Sequence, residues 1–108
     1  MYNLILMASK PHEWTHDQFI EWWRGEHAEV TYGLPGLRRW HHTEVLERMD
    51  EKRSAGWDGV SILSFDSKEA LDAALASDEW KKAIEHVGDM KGSRIAVMGE
   101  ERVMVAEK

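Results

Sequence analysis

His27 follows Trp23 by four residues and Phe19 by eight, so on a helix the three share one face. An imidazole held among indole rings is partly shut off from water. Burial disfavours its charged form and keeps the ring neutral, which suits a general base near pH 7. The competing role for His27 is that of a hydrogen-bonded, chemically inert side chain. His86 is the second polar candidate. It falls near the end of the last expected helix, just before Gly88-Asp89, where the helix dipole favours a cation and Asp89 could orient an imidazole.

The walls of a binding site are suggested by an unusual count: six Trp against two Tyr and two Phe. A Trp ring is large and its N–H wants a partner, so such a number serves a core, an interface or an aromatic pocket. Trp22, Trp23, Trp40 and Trp80 are the candidates for a pocket. Around Trp40 a strand of period two puts Arg38, Trp40 and His42 on one face and Arg39, His41 and Thr43 on the other. His41 and His42 therefore cannot grip one ion together. No carboxylate–His spacing of a known metal site stands out, and no metal is expected. His12 and His16 flank the start of the first helix and read as surface residues.

Composition narrows the classes further. The 108 residues suit one domain spanning 1–108, and a chain this short gains from self-association to bury its apolar surface. A formal net charge of −6 with no basic stripe makes nucleic acid and anionic membrane poor partners. The chain has no cysteine, which excludes disulfides, thiolate metal sites and Cys nucleophiles and is compatible with a cytoplasmic location. The start has no basic n-region, so no signal peptide is expected. No stretch reaches the roughly 18 apolar residues of a membrane span. Phosphate-binding glycine loops and Ser-His-Asp signatures are missing as well.

The elements that position these residues follow from periodicity. Tyr2 to Ser9 is a short apolar run that predicts a buried strand. Thr15 opens a helix, with Gln18 three residues on completing a capping box. The stripe Phe19, Trp22, Trp23, Glu26, His27 and Val30 carries that helix to Gly33-Leu34-Pro35-Gly36, which turns the chain. A second strand is predicted over Leu37–Leu46, a charged mobile loop over 47–56, and a third strand over Val60–Phe65. Asp66-Ser67 caps a helix with Ala70, Leu71, Ala74 and Leu75 inward, and Ser77-Asp78 restarts one holding Trp80, Ala83, Ile84 and Val87. Ile95 to Val105 gives the last strand, either whole or in two pieces divided around Gly99-Glu100. The order is β-α-β-β-α-β, the ferredoxin-like α+β arrangement with an antiparallel sheet. Helices cover one face of that sheet. The first strand is apolar on both faces, so a second copy of the sheet is the simplest cover for the other, and a homodimer through the sheet face is expected.

Phe19, an aromatic at Trp22 or Trp23, His27, then Leu34-Pro35-Gly36-Leu37 and Trp40 form an ordered pattern that resembles the EthD-like family. Asp58-Gly59-Val60 to Phe65-Asp66, followed by Ala74-Leu75-Ala76-Ser77, looks like the family's second block, so the likeness covers nearly the whole chain apart from 47–56. The resemblance implies a dimeric α+β barrel. That fold also serves muconolactone methylisomerases, polyketide cyclases, cofactor-free monooxygenases and haem-degrading enzymes. Cyclase-like relatives carry an acid–base His near His86. The methylisomerase branch carries Tyr at the Trp40 position and Cys at the Leu63 position; with Trp and Leu here, these positions suit a wall for an aromatic or alicyclic ligand. Fold alone does not choose among these chemistries.

Two functions are consistent with the residues. One is a cofactor-independent enzyme acting on a small cyclic or aromatic compound, as an isomerase, cyclase or monooxygenase. Its site would use His27 and His86 in acid–base roles, with Trp22, Trp23, Trp40, His42, Leu63 and Trp80 around the substrate. The other is a non-catalytic accessory protein that binds a hydrophobic metabolite for a partner oxidoreductase. The family takes its name from a gene needed for fuel-ether degradation, which keeps this second function in view.

Overall fold

A computed structural model describes residues 1–47, 49, 56–88 and 92–107. Among these the chain runs β1 (Tyr2–Ala8), α1 (His16–Arg24), α2 (Glu26–Thr31), β2 (Arg39–Glu44), β3 (Gly59–Phe65), α3 (Lys68–Leu75), α4 (Asp78–Val87) and β4 (Arg94–Glu100). The strands form one antiparallel sheet in the order β2-β3-β1-β4. This is the ferredoxin-like α+β fold, with each helical crossover divided into two pieces.

Register sorts the side chains. Leu4 lies opposite Leu63 on one side and Met98 on the other, and Leu63 lies opposite Trp40. On the helix-covered face Leu4, Leu34, Leu63, Phe65, Leu71 and Ala74 form a buried cluster, with Trp40 and Trp80 packed against it. Burying a Leu or Phe side chain of this kind contributes about 1.5–3 kcal/mol. The opposite face carries Ile5 against Ile62 and Val97, and Met7 against Val60 and Ile95. Ile95 and Val97 are 46% and 51% exposed, so the middle of this second face is apolar and uncovered in the single chain, while Asn3 and Ser64 toward its end are buried beside Arg39 and Glu101.

The local signals account for most element ends. Gln18 N–H donates to Thr15 Oγ1 at 3.1 Å while the Gln18 side chain accepts from Thr15 N–H at 2.8 Å, closing the capping box on α1. Ser67 and Ser77 cap α3 and α4 through the backbone N–H groups of Ala70 and Trp80. At the Leu34-Pro35-Gly36 turn, Gly36 takes a φ of 77°, a left-handed conformation that costs glycine little, and Leu34 drops into the core.

Four expectations need correction. The first helix is not continuous: at Gly25 the backbone leaves the helical region (φ −98°, ψ −101°), and α2 begins afresh at Glu26. Glycine is a weak helix former, so the break is inexpensive there. The second strand is shorter than Leu37–Leu46, because β3 supplies partners only from Ser64, opposite Arg39, to Gly59, opposite Glu44. The last strand ends at Glu100 rather than Val105. Tyr2 pairs with Glu100 and Met1 O accepts from Glu101 N–H, so β1 has no residues left to pair beyond that point. His16 is not a free surface side chain. Its Nδ1 meets Asp58 Oδ1 at 2.5 Å and its Nε2 meets Glu44 Oε2 at 2.9 Å. Two carboxylate oxygens, one at each ring nitrogen, favour the doubly protonated ring; the hydrogen bonds to Asp58 and then Glu44 raise its pKa. Of the loop expected at 47–56, residues 48 and 50–55 lie outside the described residues, as does Asp89.

Candidate functional site

Between the helices and the sheet lies a cavity of about 200 Å³. Its floor comes from alternate residues of the sheet: Leu6 and Ala8 of β1, Trp40 and His42 of β2, Ser61 and Leu63 of β3. Trp22, Trp23 and His27 line it from α1 and α2, and Trp80 from α4. Period-two alternation explains why Trp40 and His42 reach it while His41 does not.

The aromatic rings are ordered by contact with one another. Trp23 lies against His42 with ring centroids 3.8 Å apart and planes 6° from parallel. Trp40 meets the same imidazole edge-on at 4.7 Å, and its Nε1–H donates to Ser61 Oγ at 2.8 Å. His27 does not lie on Trp23, one turn back, as an unbroken helix suggests. The break at Gly25 rotates α2, and His27 lies flat on Trp22 instead, with centroids 4.6 Å apart. His86 lies on the same indole at 5.4 Å. Trp14 supports that indole from its edge at 5.9 Å.

His27 Nδ1 and His86 Nδ1 are 3.0 Å apart. One of the two nitrogens must donate and the other accept, so the pair shares one proton between them. Among the described residues His27 Nε2 has no hydrogen-bond partner. His86 is absent from the cavity lining and touches the site through His27 and the outer contact with Trp22. The His27 pKa is lowered to about 4, first by burial, then by the nearby His86, Arg94 and His42. His42 is likewise lowered to about 4, by burial and then by Arg24. Both rings are therefore neutral at pH 7.

Sequence reasoning had not singled out Arg94, which lines the cavity from β4 and donates to Val87 O at 3.3 Å. It also passed over Ser61 as the anchor of Trp40. The signal for both lay in the register, since Ala8 faces Arg94 and Ser61 faces His42, two residues along from Trp40, and register is not readable from one strand alone. Among the described residues no group of three or more His, Cys, Asp or Glu side chains is placed to hold a metal ion.

Solved structures of the same fold are numerous. An ethyl tert-butyl ether D (EthD) family protein from Bacillus halodurans superposes with a TM-score of 0.76 at 24% identity, covering 94% of this chain and 99% of that one. A dimeric ferredoxin-like protein from Thermobifida fusca gives a TM-score of 0.68 at 16% identity, covering 91% and 88%. SnoaB, a cofactor-independent oxygenase from Streptomyces nogalater, gives 0.67 at 13% identity, covering 98% and 97%. No curated protein sequence matches the chain. Residues 11–89, which carry both helices beneath the imidazole pair and the strand that presents Trp40 and His42, match the EthD domain, and the chain belongs to the EthD family.

Proposed function

We propose that this protein is a cofactor-independent enzyme that moves a proton on a small cyclic or aromatic compound, in an isomerisation, cyclisation or oxygenation. The observation that carries the reading is the Nδ1-to-Nδ1 contact of His27 and His86 at 3.0 Å, beside an apolar cavity. When His27 Nδ1–H donates to His86, His27 Nε2 keeps its lone pair for the ligand. A proton taken by Nε2 from an acidic C–H or O–H is then matched by release of the Nδ1 proton to His86. The ligand keeps the electron pair of the broken bond as an enolate or phenolate, and His27 carries no net charge after the relay. The positive charge ends on His86, in the last turn of α4 and flat against Trp22. Trp22, Trp23, Trp40 and Trp80 hold a planar ring, His42 and Leu63 complete the wall, and no metal takes part.

The competing reading is a carrier that binds a hydrophobic metabolite for an oxidoreductase. It is favoured by the low pKa of His27, since a base near 4 is a weak one. Titration of cyclic ketones and phenols, followed by turnover with His27→Ala, separates the two. An enzyme loses about 10²-fold or more in rate while still binding. A carrier shows no turnover in either form and keeps its affinity.

The same reading includes a cytoplasmic homodimer joined through the uncovered sheet face. Support comes from the apolar rows Ile5, Ile62, Val97 and Met7, Val60, Ile95, and from the dimeric state stated for the Thermobifida fusca protein.

A further inference from the structure

A second, more open hollow of about 330 Å³ lies behind the first, bounded by Arg24, Ala28 and Tyr32 together with Trp40 and His42. The two hollows share Trp40 and His42 and no other lining residue. β2 is an edge strand, so no further strand closes the sheet behind these two rings.

We propose that Trp40 and His42 are a partition that ends the ligand cavity, sets the longest ring system it admits, and separates it from a second subsite for longer planar ligands. This deepens the function proposed above and rests on the cavity being the ligand site. The front cavity, at about 200 Å³, falls below the usual ~300–1,000 Å³ of ligand pockets and suits one or two fused rings. The partition is held as a unit. Trp40 is fixed by Ser61 and touched edge-on by Tyr32 at 5.3 Å, while His42 is clamped flat on Trp23. His42 makes no hydrogen bond among the described residues, yet it is not so deeply buried that its nitrogens are orphaned. A neutral imidazole in that place offers one donor and one acceptor to an oxygen at the end of the ligand. The ligand class is therefore a planar mono- or bicyclic ring with a hydroxyl or carbonyl directed at His42. Behind the partition the hollow is more polar, with the Arg24 guanidinium held by Glu44 at 3.1 Å. An oxygenated third ring fits that environment.

The test is calorimetric titration of the full chain with 2-naphthol, which has two rings, and 1,2-dihydroxyanthraquinone, which has three. The wild type is expected to bind 2-naphthol at least tenfold more tightly. Trp40→Ala should bring the three-ring probe to equal or tighter binding, whereas Trp40→Phe should keep the wild-type order. Adding Tyr32→Ala to Trp40→Ala should weaken the three-ring probe several-fold and leave 2-naphthol unchanged. His42→Ala, outside the buried core cluster, opens the same partition and carries the test if Trp40→Ala does not fold; since both probes lose the His42 contact, its readout is the ratio of the two affinities, which should shift toward the three-ring probe. A wild type that binds 2-naphthol, with folded Trp40→Ala or His42→Ala showing no relative gain for the longer probe, overturns the partition alone. Failure of every chain to bind either probe overturns the ligand-site reading and the partition with it.

Discussion

His27 and His86 lie edge to edge, Nδ1 to Nδ1 at 3.0 Å, both flat against the indole of Trp22. The contact joins residues 59 positions apart in the chain and fixes which nitrogen of each ring is engaged. Removing His86 should release that choice. In His86→Ala, long-range ¹H–¹⁵N spectra are expected to show His27 changing from one dominant tautomer to a mixture. Ligand affinity should stay within a few-fold, and any turnover should fall by about 10-fold to 100-fold. An unchanged His27 spectrum would remove the basis for a relay.

Stability should fall on the acid side because of the two cavity imidazoles. The ordinary His value of 6.5 applies in the unfolded chain, whereas His27 and His42 titrate at about 4 in the fold. Between those values the unfolded state binds protons that the native state refuses, so stability decreases as pH drops through this window and levels off below it. Both rings are only half-buried, so solvent screening holds the effect to on the order of 1 kcal/mol each. Urea unfolding of His42→Phe against wild type between pH 7 and pH 4 measures it. Parallel curves would contradict the assignment.

His16 should act with the opposite sign. Its folded pKa is raised by Asp58 and Glu44, so its contribution is complete below 6.5 and is lost as pH rises through the folded value. His16→Gln should therefore cost about 1 kcal/mol at pH 6. The gap to wild type should narrow in alkaline buffer. A gap that widens with pH would mean that the ring is not the imidazolium its two carboxylate partners favour.

Gly59 faces the Trp23 indole so closely that an added Cβ would sit 2.5 Å from two of its carbons. Gly59→Ala must displace the ring that clamps His42, and overpacking of this kind costs about 1–3 kcal/mol. The expected result is a lower denaturation midpoint together with an altered near-ultraviolet Trp signal. A neutral effect on both would show that Trp23 has room to retreat.

Val97→Asp places a charge in the middle of the uncovered sheet face, opposite Ile5. Wild type is expected to sediment as a dimer at micromolar concentration and the variant as a folded monomer. A wild-type monomer would end the sheet-to-sheet proposal.

What the sequence disclosed was what repeats locally. The apolar run from Tyr2 to Ser9 and the capping pair Thr15 and Gln18 were readable, as were the helical stripe holding Phe19 and Trp23 and the turn at Leu34-Pro35-Gly36. Together they fixed the fold and directed His27 and Trp40 toward one cavity. Contacts between distant segments were not readable. Nothing near His16 announces carboxylates at Glu44 and Asp58, and nothing near His27 announces His86. The break at Gly25 was also hidden, because one glycine weakens a helix by about 1 kcal/mol without dictating where it bends. That break, rather than the four-residue spacing, determines which indole His27 meets.

The sheet keeps the cavity on its helix-covered face and the apolar rows of Ile5, Ile62 and Val97 on the other. Two copies joined through those rows would carry two cavities pointing away from each other, each complete within its own chain. Saturation should then reach one ligand per chain with a Hill coefficient of about 1. A site inactivated in one copy would leave the other at full rate, so a mixed dimer would work at half speed rather than fail.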